Sequence, residues 1–217
     1  MSLFPPDALK RIPYQGALLG ITALLASATL VFAYLQTGPQ IEKQHAADLT
    51  ASLKAVLPGI EYDNDLLADQ LLIHDGVGAS TTTFYLARRH GEVVAVVYQV
   101  IGKGYAGEIN AVMGLDRGGH IISVRVVSHH ETPGLGDKID SAKSPWILSF
   151  NGKGLDNPDE KGWHVRKDGG EFDQFSGATI TPRGLVAAIK GGLDLYTIHR
   201  TEILGETAAP TAKEQEK

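Results

Sequence analysis

The sequence predicts an α+β protein with a single N-terminal transmembrane helix, followed by one domain of antiparallel strands with flanking helices. Three observations lead to this prediction. No charged residue occurs between Ile12 and Ile41. Short apolar or alternating runs, separated by turns that contain glycine, fill residues 81–127, which is typical of antiparallel strands. After Pro182, apolar residues recur with helical spacing.

The composition excludes some classes of function. The formal net charge of the 217 residues is −5, which gives no electrostatic reason to expect binding of nucleic acid. The sequence contains no cysteine, so it can supply no disulfide, no thiolate ligand for an iron–sulfur cluster and no redox-active thiol. Any electron transfer must therefore use a cofactor that the chain acquires.

The apolar core of the uncharged stretch, Gly16–Leu35, has about 20 residues, which is the length needed to cross the hydrocarbon layer of a membrane. Tyr14 and Tyr34 flank it at the expected depth of the two interfaces. Lys10 and Arg11 precede it, and basic residues favour the cytoplasmic side. We therefore expect the N-terminus in the cytoplasm and the rest of the chain outside it.

A cleaved signal peptide is an alternative, because Ala26-Ser27-Ala28 fits a cleavage site. The apolar run nevertheless continues through Thr29–Leu35, which makes it too long for a signal peptide. A buried helix of a soluble protein is a weaker alternative, because the run has no polar stripe. We therefore divide the chain into a cytoplasmic segment at 1–11, a transmembrane anchor at 12–38, one domain at 39–200 and a disordered tail at 201–217.

The first half of the domain is predicted to form a helix and four strands. Gln40–Leu57 has the pattern of an amphipathic helix that stops at Pro58-Gly59, and 61–75 has no assigned structure. The strands are Thr81–Leu86, Glu92–Ile101, Glu108–Leu115 and Ile121–Val127, joined in pairs by turns at 88–91 and 116–119. Because Val93–Tyr98 is apolar on both faces, it should be a central strand.

The glycine-rich stretch Gly102–Gly107 matches the letters of the G-x-G-x-x-G dinucleotide fingerprint. That fingerprint must open a helix, whereas the residues from Glu108 onward alternate like a strand. We therefore interpret these glycines as allowing a backbone turn to pack closely against its surroundings, which could include a cofactor.

A loop dense in hydroxyls, at 173–182, runs into a helix predicted from Pro182 to about Tyr196. Proline suits the first helical position, and Thr181 suits the N-cap. The unpaired N–H groups and the positive dipole end at a helix start favour phosphate. The loop supplies hydroxyls and small residues near that point, namely Ser176, Gly177, Ala178, Thr179 and Thr181. An ordinary capped turn is the simpler alternative.

A second unusual stretch, at 128–139, leaves the last predicted strand and turns at its Pro-Gly pair. A helix is then expected from Asp137, as its N-cap, to about Phe150. Zinc binding by the histidines at 129–130 is not favoured, because Gly134 stands where the H-E-x-x-H motif needs its second histidine. No metal site is predicted.

The residues D-Q-F-S-G-A-T-I-T, at 173–181, resemble the flavinylation motif of bacterial flavoproteins that carry FMN on a threonine, roughly D-x-x-[S/T]-G-A-T. In that family the FMN phosphate esterifies the final threonine of the motif, and a dedicated FMN transferase makes the bond. The matching residue is Thr179. The resemblance implies that further cofactor-binding residues are Ser176, Gly177, Ala178 and Thr181. Asp173 would serve either transferase recognition or the shape of the loop.

The residues H-E-T-P-G-L-G-D-K-I, at 130–139, resemble the signature loop of the G subunit of the Rnf electron-transport complex. They are also similar to that of the related C subunit of the sodium-pumping NADH:quinone oxidoreductase. In those proteins the loop packs beside the FMN. The resemblance implies cofactor contacts from Glu131, Thr132, Gly134 and Leu135, with the glutamate orienting Thr132 or contacting the ring. The short chain and the D-K-I ending favour the Rnf family.

Two tryptophans, Trp146 and Trp163, could stack on a flavin, but such residues more often belong to a core or its rim. Between them and the hydroxyl-rich loop, Gly162–Lys167 is predicted as a short strand.

Together, the two resemblances imply a periplasmic FMN-binding domain on a single-pass anchor in the bacterial inner membrane. The chain would carry covalent FMN and relay electrons in an ion-translocating complex that links ferredoxin and NAD, with no catalytic residue of its own. Its partners would be the membrane and peripheral subunits of that complex, and the FMN transferase. The alternatives are a component like the C subunit of the sodium pump and a flavin-free periplasmic binding or scaffold module. A hydrolase that uses Ser176 is a weak alternative, because the sequence has no G-x-S-x-G elbow at that residue.

Overall fold

A computed structural model describes residues 12–74 and 81–205. The chain divides into two units, residues 1–49 and residues 50–217. The expectations for a cytoplasmic segment at 1–11 and for the end of the tail at 206–217 lie outside the described residues.

Helix α1 spans Ile12–Ala55. Its apolar segment Tyr14–Tyr34 is 21 residues long, and none of it is buried by the rest of the protein, which fits a helix that crosses a membrane. The prediction of a separate helix beginning at Gln40 was wrong, because α1 includes that residue. The predicted stop is confirmed, since the helix ends before Gly59, which has φ +75°.

Five antiparallel strands form one sheet, in which each strand pairs with the next along the chain. They are β1 (Gln70–His74), β2 (Thr81–Arg89), β3 (Glu92–Lys103), β4 (Glu108–Asp116) and β5 (Ile121–Ser128). All four predicted strands are confirmed, with slightly longer bounds. Strand β1 was not predicted; it lies at the edge of the sheet, where Gln70 pairs with Tyr85 of β2.

Strand β3 lies at the centre of the sheet and carries apolar residues on both faces, as predicted. Val96, Tyr98 and Val100 belong to the main core, and the alternate residues Ala95 and Val97 belong to a second cluster. Successive side chains of a strand point to opposite faces, so the sheet is covered on both sides.

Helix α2, Ile180–Leu204, packs on the face of the main core, and its Leu185, Ile189 and Leu193 are buried there. The residues at the end of α1 cover the other face through the second cluster. Gly114 of β4 permits this approach, because a Cβ there would lie 2.5 Å from the carbonyl oxygen of Val56.

The segment between β5 and α2 contains short 3-10 turns in place of the elements that the sequence predicted. The predicted helix over 137–150 was wrong: 3-10 turns occupy Gly136–Ile139 and Pro145–Phe150. The proline holds the preceding Ser144 in extended backbone, with φ −157° and ψ 148°. The Ser144 hydroxyl oxygen accepts from the Trp146 N–H and so caps the start of the second 3-10 turn.

Two further predictions for this segment were wrong. Asp137 is buried inside the first 3-10 turn and does not cap a helix. In place of a strand at Gly162–Lys167 there is an isolated bridge between Val165 and Phe172, flanked by 3-10 turns at Glu160–Gly162 and Arg166–Asp168. The alternating pattern of these residues reflects burial in the core, because Val165 is fully buried.

An aromatic cluster fills the core beneath this segment. Phe150 and Phe172 stack with their ring centroids 4.5 Å apart, and Trp146 meets Phe175 edge-on at 5.2 Å. Trp163 is 1% exposed and Trp146 is 8% exposed. Both tryptophans are therefore core residues, as the sequence favoured.

Helix α2 is longer than predicted. It continues beyond Tyr196 to Leu204 and ends at Gly205, which has φ +65°. The prediction of disorder from residue 201 was therefore wrong for Thr201–Leu204. The helix extends because Ile203 and the last leucine are buried against the core.

Candidate functional site

A cleft of about 290 Å³ opens where α2 begins. Three segments that are distant in the sequence line it: the turn after β3, the loop after β5 and the loop that leads into α2. The lining residues are Tyr105, Glu131, Thr132, Leu135, Gly136, Gly177, Ala178, Thr179, Ile180 and Thr181. The fold thus brings the two sequence motifs together on one surface.

The hydroxyl-rich loop makes a tight turn before the helix. The Ala178 N–H donates to the Phe175 carbonyl oxygen at 3.1 Å. Gly177 has φ +80°, which is the left-handed region that glycine tolerates best. A Cβ at this glycine would lie 3.8 Å from Cδ2 of Leu135, so the turn touches the loop that follows β5.

Helix α2 begins at Ile180, and Thr179 is its N-cap residue, with φ −73° and ψ −26°. The prediction that Thr181 is the N-cap and Pro182 the first helical residue was therefore wrong. The proline still lies in the first turn, where a missing N–H is no loss. The Arg183 N–H donates to the Thr179 carbonyl oxygen at 3.2 Å.

The three hydroxyls of this loop have different surroundings. Thr179 is half-buried and lines the cleft, and within the described chain its hydroxyl makes no capping hydrogen bond to the helix. Thr181 is fully buried and its hydroxyl donates to Oε2 of Glu131. Ser176 is exposed and is not among the described residues that line the cleft.

Glu131 is a buried carboxylate, 6% exposed. Its Oε1 accepts the Ala106 N–H at 3.0 Å, and its Oε2 accepts the Thr181 hydroxyl. The sequence suggested that Glu131 either orients Thr132 or contacts the ring; in the structure the threonine bonded to its side chain is Thr181 of α2. That partner could not be foreseen from the sequence, since 50 residues separate the two.

Two glycines leave room for this carboxylate. A Cβ at Gly104 would overlap Oε1 of Glu131, and a Cβ at Gly136 would lie 2.5 Å from Oε2. The close packing inferred from the sequence is thus confirmed for Gly104, and for Gly102, where a Cβ would lie 3.1 Å from the carbonyl oxygen of Gly184; a Cβ at Gly107 would meet nothing within 4 Å.

The loop after β5 is closed by its own backbone. The Thr132 carbonyl oxygen accepts the N–H groups of Leu135 and Gly136, at 3.1 and 3.2 Å, and Gly134 has φ +79°. The Glu131 N–H donates to Nδ1 of His129 at 3.1 Å. This bonding keeps the loop in place, with Thr132, Gly134 and Leu135 at the surface.

Sequence reasoning missed Tyr105, which lines the cleft and is 74% exposed. It forms an apolar rim with Leu135 and Ile180, which are 44% and 47% exposed. The signal was an aromatic residue inside a glycine-rich turn, where no core partner could account for it.

The outer side of the hydroxyl-rich loop is held by its neighbours. The indole Nε1–H of Trp146 donates to the Asp173 carbonyl oxygen at 2.7 Å, and Nε of Arg166 lies 3.1 Å from the Asp173 carboxylate. The Lys167 N–H donates to the Gln174 side chain at 3.2 Å. The contact with Arg166 uses the side chain of Asp173 and agrees with a loop-shaping role, while the alternative, recognition by a transferase, stays a prediction.

The positive potential near Thr179 comes from the backbone of α2. Arg183, in the first turn, donates two hydrogen bonds to Asp168, at 2.6 and 2.9 Å. These bonds lower the pKa of Asp168 and raise the pKa of Arg183. No lysine, arginine or histidine is among the described residues that line the cleft, so the helix start is the main source of attraction for an anion there.

Comparisons with known proteins agree with this geometry. Residues 104–194 match the family model described as an FMN-binding domain, a range that contains the whole cleft. The G subunit of the ion-translocating oxidoreductase complex of Cereibacter sphaeroides is 46% identical over 190 residues, which cover 88% of this chain and 86% of the relative. The G subunit of Vibrio cholerae is 39% identical, covering 90% and 95%. This chain belongs to the G-subunit family of ion-translocating oxidoreductase complexes.

A solved structure shares the fold of this chain. The C subunit of the Na⁺-translocating NADH-quinone reductase of Parabacteroides distasonis superposes with a TM-score of 0.53 at 18% identity, covering 74% of this chain and 96% of that one. The α+β architecture with an FMN-binding domain and one apolar N-terminal helix is thus confirmed, as is the resemblance to the Rnf family.

The cleft fits an FMN. A flavin nucleotide needs a place for its phosphate and an apolar surface for its ring. The start of α2 at Thr179 supplies the first, and the rim of Tyr105, Leu135 and Ile180 supplies the second. Gly177 lines the cleft and adds no side chain to its wall.

Proposed function

We propose that this chain carries FMN covalently, through a phosphoester on Thr179, and relays electrons in an Rnf-type complex that links ferredoxin and NAD to ion transport. The observation that carries the proposal is the position of one hydroxyl. Thr179 stands on the cleft wall at the start of α2, where its hydroxyl is not used for capping. The FMN-binding domain match and the relatives in the G-subunit family support the cofactor and the complex.

The surroundings of the other hydroxyls favour Thr179 over its neighbours. A phosphoester on Thr181 would break the hydrogen bond to Glu131 and bring two negative groups together in a buried place. A phosphoester on Ser176 would stand outside the cleft. Thr179 is the residue whose modification keeps the existing bonds and places the nucleotide in the cleft.

The start of α2 is suited to the phosphate. A phosphodiester on Thr179 carries one negative charge, which the helix dipole and the unpaired N–H groups of the first turn stabilise by about 0.3–1 kcal/mol. The guanidinium of Arg183 would not contact the phosphate, because it is already bonded to Asp168.

Formation of the bond needs a second protein. In that step the Thr179 Oγ1–P bond forms, a phosphoanhydride P–O bond of an activated flavin nucleotide breaks, and the hydroxyl proton leaves with the released phosphate or to solvent. The carboxylate that lines the cleft, Glu131, is already engaged by two donors. We therefore assign the base for this step to an FMN transferase.

When bound, FMN supplies one-electron and two-electron transfer chemistry. The residues of the chain hold and shield it: Tyr105, Leu135 and Ile180 provide the apolar rim, and Thr132 and Gly134 lie at the surface of the adjoining loop. Among the described cleft residues there is no lysine or histidine that could act as an acid or base on a substrate, and the carboxylate of Glu131 is already bonded to Ala106 and Thr181. This arrangement favours an electron carrier whose turnover depends on the other subunits of a complex.

The apolar N-terminal helix supports a periplasmic location for the domain. Lys10 and Arg11 precede the apolar segment Tyr14–Tyr34, so the domain would lie in the periplasm on a single-pass anchor in the inner membrane. A covalent bond suits that place, because a freely dissociating nucleotide would be lost.

An alkaline phosphatase fused after residue 205 should be active, since that enzyme works outside the cytoplasm. An inactive fusion with a normal protein level would contradict the orientation.

The attachment is tested by intact mass of the full chain produced together with an FMN transferase. Wild-type protein should gain one FMN, and the adduct should map to the peptide that contains residues 173–181. Thr179→Ala should gain none while keeping its far-ultraviolet circular dichroism, and Thr179→Ser should recover part of the modification. An FMN adduct on Thr179→Ala, or an unmodified wild-type peptide, would refute the proposal.

A further inference from the structure

The carboxylate of Glu131 joins all three segments of the cleft. It belongs to the loop after β5, it accepts the backbone N–H of Ala106 from the turn after β3, and it accepts the hydroxyl of Thr181 from α2. Residues that lie 25 and 50 positions away along the chain are therefore tied to one side chain.

The sequence around Glu131 is adapted to this contact. Gly104 and Gly136 lack the Cβ atoms that would collide with its two oxygens. The side chain is 6% exposed and Thr181 is fully buried, so water cannot readily replace the bond between them, whereas the bond to the exposed Ala106 is only partly buried. In the described chain every buried side-chain nitrogen and oxygen has a hydrogen-bond partner. Loss of the carboxylate would remove the acceptor of the Thr181 hydroxyl and of the Ala106 amide.

We propose that Glu131 is the positioning residue of the flavin cleft: it holds the turn that carries Tyr105 and the helix start that carries Thr179 at a fixed separation. Tyr105 directly precedes the bonded Ala106, and only Ile180 lies between Thr179 and the bonded Thr181. Glu131 thus acts through these two neighbours and does not need to touch the nucleotide.

A second consequence concerns the choice of threonine. Thr179 and Thr181 stand close together at the same helix start. Because Glu131 engages the hydroxyl of Thr181, the hydroxyl of Thr179 is the one left to the cleft. The same carboxylate that joins the cleft segments therefore keeps the hydroxyl of Thr181 engaged, although Thr181 also lines the cleft.

The assignment is first tested on flavin-free full-length protein by hydrogen exchange. Glu131→Ala should raise the exchange of residues 104–107 by about tenfold, the factor expected for loss of one hydrogen bond to a charged group. Glu131→Gln should stay near wild type, because its amide can accept from Ala106 through oxygen and donate to Thr181 through nitrogen. Unchanged exchange in Glu131→Ala, in a protein that remains folded, would overturn the proposal.

The effect on the cofactor is tested on flavinylated protein, and this part rests on the proposed function. Glu131→Ala should keep FMN on Thr179 but lose much of the visible circular dichroism of the flavin, since the ring is no longer held in one orientation. The matched control is Asp168→Asn, which removes a carboxylate bonded to the same helix turn but outside the cleft. A normal flavin signal in Glu131→Ala, or an equal loss in Asp168→Asn, would contradict the positioning role.

The two hypotheses fail in different ways. If even the wild-type protein carries no flavin, the proposed function fails, whereas the exchange experiment still decides whether Glu131 fixes the turn. If Thr179 is flavinylated and Glu131→Ala behaves like wild type in both experiments, the positioning role fails and the attachment site stands.

Discussion

Gly184 of α2 lies directly against the carbonyl of Lys103 at the end of β3. A Cβ on Gly184 would overlap that carbonyl oxygen, and a Cβ on the neighbouring Gly102 would lie 3.1 Å from the carbonyl oxygen of Gly184. The backbone of α2 thus rests on the strand that leads into the turn of Tyr105.

Gly184→Ala should destabilise the protein by about 3 kcal/mol or more, because a methyl group cannot enter without moving a strand or a helix. The matched control is Gly191→Ala in the same helix, where a Cβ would meet nothing within 4 Å. That change should stabilise the protein by roughly 0.5–1 kcal/mol through helix propensity. Urea unfolding of both variants measures the difference, and equal midpoints would contradict the close contact.

The indole N–H of Trp146 fixes the hydroxyl-rich loop through the Asp173 carbonyl. Trp146→Phe should lose roughly 1–3 kcal/mol of stability and should also speed hydrogen exchange in residues 173–178. Trp163→Phe is the control, because its N–H donates to the Gly154 carbonyl at 3.2 Å. It should lose comparable stability without faster exchange at 173–178. The same exchange pattern in both variants would show that Trp146 does not hold the loop.

Strands β2 to β5 were predictable because each is specified by its own local sequence. The apolar run in β3 and the turn residues His90 and Gly91, with φ +52° and +85°, place the first hairpin without any long-range information. Strand β1 was missed, because the residues around Gln70 become a strand only through pairing with β2. The length of α2 was underestimated for a related reason, since burial of Ile203 depends on the core and not on local pattern.

The site was predictable at the level of motifs but not of contacts. The resemblance of the two motifs implied Thr179 as the attachment point, which stays a prediction, and implied that both loops lie beside one cofactor; the structure brings both loops to one cleft. It could not show that Thr181 bonds Glu131, because a hydroxyl at a helix start has the same local appearance whether it caps the helix or reaches a distant carboxylate. Tyr105 was overlooked for a similar reason. The local sequence cannot show that this exposed turn residue lines a cleft, because the other walls of the cleft come from distant segments.

His120 links the turn between β4 and β5 to the loop that contains Asp156. Its Nε2 lies 3.2 Å from the Asp156 carboxylate and its Nδ1 lies 3.5 Å from that of Asp116. The hydrogen bond to Asp156 is the largest cause that raises the pKa of His120; desolvation opposes it, and the charges of Asp116 and Asp156 raise the pKa by smaller amounts. The same bond lowers the pKa of Asp156 from its ordinary value of 3.8.

This pair should make stability depend on pH. Because the folded pKa of His120 is raised, its contribution is complete below the unfolded value of about 6.5 and is lost as the pH rises through the folded value. The contribution of Asp156 is present above 3.8 and is lost as the pH falls through its lowered folded value. Melting temperatures at about pH 5.5 and pH 8.5 should therefore differ more in wild type than in His120→Gln. An identical pH dependence in the two proteins would contradict this coupling.

Tyr105 should govern how strongly the flavin emits. It stands on the rim of the cleft with most of its side chain exposed, where an aromatic ring can pack against a flat cofactor. A tyrosine in contact with an excited flavin quenches it by donating an electron, whereas phenylalanine and leucine do not.

Tyr105→Phe should therefore raise the flavin emission while keeping the visible circular dichroism, because the packing surface remains. Tyr105→Leu should raise the emission and weaken the dichroism, and both variants should keep full FMN attachment, since Thr179 is untouched. Tyr62→Leu, which alters a half-buried tyrosine of the second cluster, serves as the control and should leave both signals unchanged. Emission in Tyr105→Leu no higher than in wild type would place the ring away from this turn.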